Sequence, residues 1–314
     1  MRNAVSEVTG YIYIFGIVMA VLAIVFVQVH GMVEDMKRSV LSQSLEQSFK
    51  RIEHIVYSVA FGGMPAQSVE IELQGGRISL EKRRPEFIIA FVNDTASISD
   101  CSLNNFELYC LNLSTGRIYN SSSCSGLFDK KACTLNKTVG ILGYEYGNWM
   151  ISIEGGAIFS KQSEYSKLLH EPRILVNTTA GTSKYLLMTI PMLEGDFSAG
   201  GFGRIKILVK ENESYTFSQL ENVNIGEGVQ WMGKFDRAYV MIRDTEHQDA
   251  WCRFFDGFEL LNTTLRAENC HNCYGISPCV CTCKRADLPM AMIETKNLNT
   301  NIVIIFKSVI FAQQ

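Results

Sequence analysis

The sequence predicts an α+β protein in which a long N-terminal transmembrane and amphipathic helix precedes an antiparallel β-rich, sandwich-like extracellular domain with one additional short helix. Three observations predict this class. An uncharged apolar run occupies Val8–Val29, apolar residues then recur every three or four positions to about Ala60, and after Pro65 the apolar spacing changes to two. The predicted segments are a leader-like stretch at 1–3, the helix at 4–62 and the β-rich domain at 63–314.

The uncharged run predicts a transmembrane helix. It contains no Asp, Glu, Lys or Arg, and at about 1.5 Å per residue it is long enough to cross a hydrocarbon core of about 30 Å. A buried core helix and a cleavable secretory signal are the alternatives, but the apolar part of such a signal runs only about 7–15 residues. The later apolar stretch Ile302–Phe311 is broken by Lys307 and suits buried strands, so we expect a single span.

The helical pattern continues beyond the span. Apolar residues recur there at three- and four-residue spacing, namely Val33, Met36, Val40, Leu41, Leu45, Phe49, Ile52, Val56 and Val59. The pattern stops at Gly62-Gly63, which are typical helix-ending residues. A helix of this extent would be on the order of 80 Å long. Its apolar stripe outside the bilayer must pack against the chain's own globular body or against copies of the same helix.

The pattern of the remaining chain predicts mostly short strands. Val69, Ile71 and Leu73, a Gly75-Gly76 turn, and Ile78 and Leu80 together predict a β-hairpin. The other predicted strands are 87–92, 149–153, 157–160, 185–190, 205–209, 238–242, 290–294 and 302–310. One further helix is expected between Glu246 and Phe258, where Ala250, Trp251, Phe254 and Phe255 form an apolar face.

Composition excludes several classes of protein. The 314 residues include 29 basic and 32 acidic ones, which gives a formal net charge of −3 and argues against a nucleic-acid partner. The aromatic content of 11% and only 6 prolines argue against disorder. The length fits one large domain or two small ones.

Ten cysteines lie in two groups beyond the predicted span. They are Cys101, Cys110, Cys124 and Cys133, then Cys252, Cys270, Cys273, Cys279, Cys281 and Cys283. An even number in a membrane-anchored chain predicts disulfides in an oxidising compartment, with the pairing left open. The later group could instead hold zinc or an iron–sulfur cluster. Its Cys-x-Cys-x-Cys spacing is not that of a zinc ribbon, so we favour disulfides and expect no metal and no cofactor.

Acceptors for N-linked glycosylation are frequent in the same part of the chain. The Asn-x-Ser/Thr pattern occurs at Asn93, Asn112, Asn120, Asn136, Asn177, Asn212 and Asn262. Together with the cysteines, they favour a body outside the cell and an N-terminus in the cytoplasm. The basic residues that flank the span give only a weak orientation signal.

Searches for catalytic patterns are negative. The sequence has no His-Glu-x-x-His pair, no Gly-x-Ser-x-Gly elbow and no phosphate-binding Gly-x-x-x-x-Gly-Lys-Ser/Thr loop. The histidines, His247 included, show no partner set that indicates more than surface or interface positions. We therefore expect a protein that is not an enzyme.

Glu7, one residue before the uncharged run, is a candidate assembly residue. Its simplest role is that of an interfacial carboxylate at a helix start, where the helix dipole favours negative charge. Alternatively, Glu7 pairs with the free amine of a neighbouring subunit inside a helix bundle, because an unpaired carboxylate in that environment would be costly.

The N-terminal residues carry a family resemblance. Arg2-Asn3, then Ala4-Val5-Ser6-Glu7-Val8-Thr9-Gly10 and a long apolar helix, resemble the class III signal of archaeal type IV pilin-like proteins. The resemblance implies that a prepilin peptidase cuts between Asn3 and Ala4 and places Glu7 near the family's conserved carboxylate. The spacing of Glu7 differs by one residue from the usual bacterial arrangement, and the leader is unusually short.

Further segments look like landmarks of archaeal pilin-like surface proteins with a large β-rich body. They are Tyr144-Glu145-Tyr146, Glu154-Gly155-Gly156-Ala157-Ile158, Glu171-Pro172, Ile190-Pro191 and Ala250-Trp251-Cys252-Arg253-Phe254-Phe255. The resemblance implies a membrane-anchored cell-surface protein, a possible minor subunit of a pilus-like assembly, whose partners are the lipid bilayer, other pilin-like subunits and the peptidase. The alternative is a non-polymerising single-pass ectodomain for adhesion or ligand binding.

Overall fold

The structure is a computed structural model. It describes residues 2–92, 106–112, 117–120, 122, 124–127, 129–178, 184–218, 229–231, 235–257, 290–294 and 300–313. The chain divides into two compact units, Met1–Ser48 and Phe49–Gln314. The described elements are two α-helices and eighteen β-strands, which confirms the predicted α+β class.

The first unit is the N-terminal part of helix α1 (Arg2–Phe61). Within it, Gly10–Val33 is long and apolar enough to cross a membrane, and none of its side chains is buried inside the protein. The predicted apolar helix of membrane-span length is therefore present. This segment contains most of the predicted Val8–Val29 and continues to Val33.

The second unit begins with the last turns of α1. Phe49, Ile52, Val56 and Val59 are fully buried there, as expected from their spacing. The helix ends at Phe61, and the chain then passes through Gly63, whose φ of 72° suits a glycine after a helix.

The first of three sheets is mixed. Its strands, in spatial order, are β1 (Ala66–Glu72), β14 (Arg204–Ser218), β18 (Thr300–Gln313), β12 (Lys184–Glu194) and β11 (Ile174–Thr178), with β15 (Val229–Trp231) beside β14. The pairs β12–β18 and β14–β15 are parallel. This departs from the predicted all-antiparallel arrangement, because apolar alternation identifies a strand but not the direction of its neighbour.

The second sheet is antiparallel throughout its described pairs. Its order is β10 (Tyr165–His170), β9 (Ala157–Gln162), β8 (Trp149–Glu154), β7 (Ile141–Tyr146), β2 (Arg77–Glu81) and β13 (Ser198–Gly200). Strands β7 to β10 follow one another along the chain and form a meander, so this sheet carries most of the local pairing.

The third sheet is also antiparallel in its described pairs. Its order is β17 (Met290–Glu294), β16 (Arg237–Arg243), β3 (Glu86–Val92), β6 (Asp129–Thr138), β4 (Glu107–Asn112) and β5 (Ile118–Asn120). Helix α2 (Gln248–Gly257) confirms the additional short helix. One core joins all three sheets and α2, with Phe87, Phe159, Phe306 and Trp251 among its members.

The predicted hairpin between residues 69 and 80 is wrong. Strand β1 pairs with β14 in the first sheet, whereas β2 pairs with β7 and β13 in the second. The turn itself exists, since the Gly76 N–H donates to the Leu73 carbonyl over 2.8 Å. Tyr144 explains the divergence in part: its hydroxyl donates to the Leu73 carbonyl and accepts from the Gly76 N–H, so a side chain of β7 holds the turn.

Candidate functional site

The end of helix α1 meets the body at a two-residue turn between β8 and β9. Gly155 and Gly156 have φ values of 56° and 83°, which suits a type I′ hairpin turn. A Cβ on Gly156 would overlap the Tyr57 hydroxyl, and a Cβ on Gly155 would lie 3.7 Å from the Trp251 ring. Glycine at 156 therefore lets Tyr57 approach the turn, whereas at 155 the positive φ is what favours glycine.

Tyr57 links α1 to the neighbouring strands. Its hydroxyl donates to the Thr189 carbonyl and accepts from the Arg173 N–H, each over 3.3 Å. The Arg173 guanidinium lies 3.9 Å from the centre of the Tyr57 ring, a cation–π contact. Burial raises the pKa of Tyr57 well above its ordinary value, so the hydroxyl stays protonated.

Glu53, one turn earlier on α1, is a buried carboxylate. Its Oε1 atom lies 3.6 Å from Nη2 of Arg173 and 4.0 Å from Nδ1 of His170. Burial raises the pKa of Glu53, and the charges of Arg173 and His170 partly oppose that rise. Arg173 thus contacts both Tyr57 and Glu53, and it ties the helix end to the segment that precedes β11.

Glu154 is a second buried carboxylate, on β8. The indole N–H of Trp251 donates to its Oε1 atom over 2.6 Å, and the side chain is fully buried. Burial raises the pKa of Glu154 to about 7, against opposing hydrogen bonds from Thr245 and Trp251. This bond joins helix α2 to the second sheet.

His247, the residue just before α2, contacts the same sheet at another point. Its Nε2 atom lies 2.6 Å from the Ser152 hydroxyl and its Nδ1 atom 3.1 Å from the Ser166 hydroxyl. The ring stacks on Phe159 with centroids 4.6 Å apart. Burial lowers the pKa of His247 to about 3, so the imidazole is neutral, and one ring nitrogen donates while the other accepts.

These groups form a structural network. Ser152 and His247 are both fully buried, so a substrate cannot reach the serine hydroxyl in this arrangement. Among the described residues, no group of three or more His, Cys, Asp or Glu side chains could hold a metal ion. The network fixes α2 against strands β8 to β10. It also fixes the end of α1 against β10, β12 and the segment before β11.

The site residues expected from the N-terminal sequence lie within helix α1. Arg2, Asn3, Ala4 and Glu7 belong to it by backbone, and the surroundings of their side chains lie outside the described part of the structure. Their roles in processing and assembly stay predictions.

The cysteines are described in part. Cys110 and Cys124 form a disulfide with a Cα–Cα distance of 5.3 Å, and Cys133 and Cys252 are also disulfide-bonded. The predicted cysteines outside the described residues are Cys101, Cys270, Cys273, Cys279, Cys281 and Cys283. The alternative of a metal site in the later group therefore concerns residues that the structure does not describe.

The glycosylation acceptors are distributed over two sheets. Asn112, Asn120 and Asn136 lie on β4, β5 and β6, and Asn212 lies on β14. Asn177 lies in β11, with its side chain outside the described set, and Asn93 and Asn262 are likewise outside it.

A cleft of about 340 Å³ opens between β6 and β14. Its lining residues are Glu107, Thr134, Leu135, Asn136, Lys137, Tyr215 and Phe217. The Lys137 ammonium lies 3.8 Å from the centre of the Tyr215 ring, and burial lowers the pKa of Lys137. The wall of the cleft therefore combines a cationic side chain with an aromatic one.

Sequence reasoning missed the network but found some of its members. Glu154, Gly155, Gly156 and Trp251 belong to the landmark segments, and the structure brings them together around the β8–β9 turn. Tyr57, Glu53 and Arg173 were not singled out. Glu53 lies among the apolar residues Phe49, Ile52 and Val56 of α1. A charged residue within an apolar helix face is the sequence signal that could have identified it.

Comparisons with known proteins give a family match and a similar archaeal protein. Residues 3–272 match a family described as "Family of unknown function (DUF7289)". An "Uncharacterized protein" of Archaeoglobus fulgidus is 48% identical over 321 residues, which covers 99% of this chain and 100% of the relative. No solved structure matches.

Proposed function

The chain belongs to the DUF7289 family of unknown function. We propose that it is a type IV pilin-like, membrane-anchored cell-surface protein. The observation that carries the proposal is helix α1. One continuous helix of 60 residues contains an apolar segment of membrane-span length and ends in turns that are buried in a β-rich body.

This division of one helix suits a protein that is held in a bilayer and can be transferred to an assembly. An apolar segment that the protein itself leaves exposed requires lipid or other helices around it. The buried end is held in the body by the contacts of Glu53 with Arg173 and of Tyr57 with Thr189 and Arg173. A minor subunit of a pilus-like assembly would use both properties.

In the proposed topology the N-terminus is cytoplasmic and the body is extracellular. The Cys110–Cys124 disulfide supports this orientation, because disulfides persist in oxidising compartments. The seven Asn-x-Ser/Thr acceptors support it as well. Treatment of intact cells with a protease tests it: cleavage of the body with retention of the α1 segment is expected, and a fully protected body would contradict it.

The first experiment is mass spectrometry of the N-terminal peptide of the protein from its native membrane. A chain that starts at Ala4 is expected, because Arg2-Asn3 resembles the processing signal of pilin-like proteins. A chain that starts at Met1 or Arg2 would contradict prepilin-type processing and leave a permanently anchored ectodomain.

Assembly is tested by Glu7→Ala. We expect this variant to be processed and inserted normally but to be lost from any filament or complex that the wild-type protein enters. Glu70→Ala is the matched control, because Glu70 is an exposed carboxylate on β1. Equal incorporation of the two variants would contradict the assembly role of Glu7.

A specific observation favours adhesion as a second candidate function. Phe202 is 89% exposed at the bend between β13 and β14, and it lies next to Tyr146, since both rings surround Gly75. Exposed aromatic rings suit recognition of a surface or a sugar. We expect the purified whole protein to bind cell-surface material and the Phe202→Ser variant to bind less of it. Unchanged binding by Phe202→Ser would contradict this role.

A further inference from the structure

Three glycosylation acceptors on the third sheet differ in the state of their amide nitrogen. Asn112, Asn120 and Asn136 lie on three neighbouring strands, β4, β5 and β6. The amide nitrogen, Nδ2, is the atom to which a saccharide is joined. Whether that atom is exposed and uncommitted therefore decides which acceptor can react on the folded protein.

Asn112 is committed to another residue. Its side chain is half-buried, and Nδ2 donates to Oδ1 of Asp129 over 2.8 Å. Hydrogen bonds from Tyr119, the Gly126 N–H and Asn112 lower the pKa of Asp129 below its ordinary value. The acceptor of the Asn112 bond is thus an ionised carboxylate, and charge-assisted bonds of this kind are the stronger ones.

Asn120 has the opposite arrangement. Its side chain is exposed, and its Oδ1 atom accepts two hydrogen bonds of 3.1 Å from the N–H and the hydroxyl of Ser122. Ser122 is also the hydroxyl residue of the acceptor pattern. The carbonyl end of the amide is held, and the nitrogen end is the one that these bonds leave unused.

Asn136 is also exposed and lies at the cleft between β6 and β14. Within the described part of the chain, no residue accepts a hydrogen bond from its side chain. Asn212, on the first sheet, is exposed, but its Nδ2 donates to Glu194 over 3.0 Å. Exposure and an uncommitted nitrogen therefore coincide at Asn120 and Asn136.

We propose that Asn120 and Asn136 carry N-linked saccharides and that Asn112 does not. The reaction joins Nδ2 to the anomeric carbon of a sugar. The bond that breaks joins that carbon to the phosphate oxygen of a lipid-phosphate-linked saccharide, and the amide proton passes to the released phosphate. This inference rests on the proposed function, because the donor lipid and the body must meet outside the cell.

The test is mass spectrometry of the reduced and trypsin-digested whole protein from its native membrane. Cleavage after Arg117, Lys130 and Lys131 places the three acceptors on three different peptides. Asn93 shares the peptide of Asn112, so fragmentation of that peptide must assign any sugar to one of the two residues. Sugar on the Asn120 and Asn136 peptides and an unmodified Asn112 are expected. Sugar on Asn112, or its absence from Asn120 or Asn136, would overturn the proposal.

Two variants separate the structural explanation from simple surface position. Ser122→Ala should abolish modification of Asn120 and leave Asn136 modified. Asp129→Ala combined with Tyr119→Phe removes both side-chain partners of the Asn112 amide, so Asn112 should gain a saccharide. A double variant with Asn112 still bare would contradict the role given to those hydrogen bonds.

The N-terminal peptide of the same digest tests the proposed function separately. A chain that starts at Ala4 with bare Asn120 and Asn136 overturns the glycosylation proposal alone. Because trypsin cuts after Arg2, an unprocessed chain gives a peptide that begins at Asn3. That peptide, with sugar on both asparagines, overturns prepilin-type processing alone.

Discussion

Both ends of helix α1 carry apolar side chains, but these side chains have opposite environments. In Gly10–Val33 the apolar side chains are exposed and charge is absent. In the final turns Phe49, Ile52 and Val56 are fully buried, and Glu53 is buried beside them with Arg173 and His170 as partners. The comparison teaches that apolar periodicity predicts a face that must be covered, whereas the accompanying charges indicate whether the chain itself covers it.

The largest effect is expected from Phe49→Ala. Removal of a fully buried phenylalanine should lower the free energy of unfolding of the body by about 3–5 kcal/mol. Phe15→Ala, in the exposed segment of the same helix, is the control and should change it by less than about 0.5 kcal/mol. Denaturant unfolding of both whole-chain variants in detergent measures the difference, and similar losses would break the comparison.

Ile17→Arg tests the other end. An arginine at the middle of a membrane span costs about 2.5–3.5 kcal/mol of insertion free energy, so a large fraction of the variant should leave the membrane pellet. Ile17→Val keeps the apolar surface and serves as the control. If Ile17→Arg remains membrane-bound in the same proportion, the exposed segment does not meet lipid.

Gly156→Ala should have the next effect, because the added Cβ would overlap the Tyr57 hydroxyl. We expect the free energy of unfolding to fall by about 2–3 kcal/mol, from overpacking combined with a positive φ. Gly147→Ala is a matched control, since Gly147 has a φ of 61° and a Cβ added there would meet no atom within 4 Å. That change should cost only about 1 kcal/mol. Equal losses of unfolding free energy in the two variants would show that Tyr57 does not pack against the turn.

The smallest effect concerns pH. The pKa of Glu154 is raised from 4.5 to about 7 in the folded state, so its contribution to stability is fully present below pH 4.5 and is lost as the pH rises through 7. Glu154→Gln keeps the acceptor for Trp251 and removes the titration. At pH 8 the variant should therefore be more stable, relative to the wild type, than it is at pH 4.5.

His247 also titrates, and its effect on stability has the opposite pH dependence. Its pKa is lowered to about 3, so its contribution is fully present above its unfolded pKa of about 6.5 and is lost as the pH falls through 3. Because His247 is present in both proteins, it cancels in their difference. Parallel stability curves for wild type and Glu154→Gln would contradict the buried, titrating carboxylate.

Local features were predictable from the sequence, and distant pairings were not. The end of α1, strands such as 87–92 and 149–153, and helix α2 follow from periodicity and glycine signals, which act within a few residues. The partners of β1 and β2 and the parallel β12–β18 pair depend on residues at least 60 positions away. Alternation cannot specify those partners.

The candidate site shows the same limit. The N-terminal signal residues are adjacent in sequence, so a pattern could identify them. His247 meets Ser152 across 95 positions and Tyr57 meets Thr189 across 132. Each of these side chains has an ordinary sequence neighbourhood, and only folding creates the contacts that desolvate it.

The crossing of the chain between two sheets at Gly75-Gly76 has a mechanical consequence. A pull on the N-terminus would travel along the backbone from α1 into β1, which has seven residue pairs with β14. Beyond the turn, the same chain continues as β2, with five pairs to β7 in the other sheet. In a hairpin, the two strands would pair with each other and separate together. Here tension must break the β1–β14 pairing and the β2–β7 pairing one after the other. A force on the N-terminus would therefore meet the resistance of both sheets.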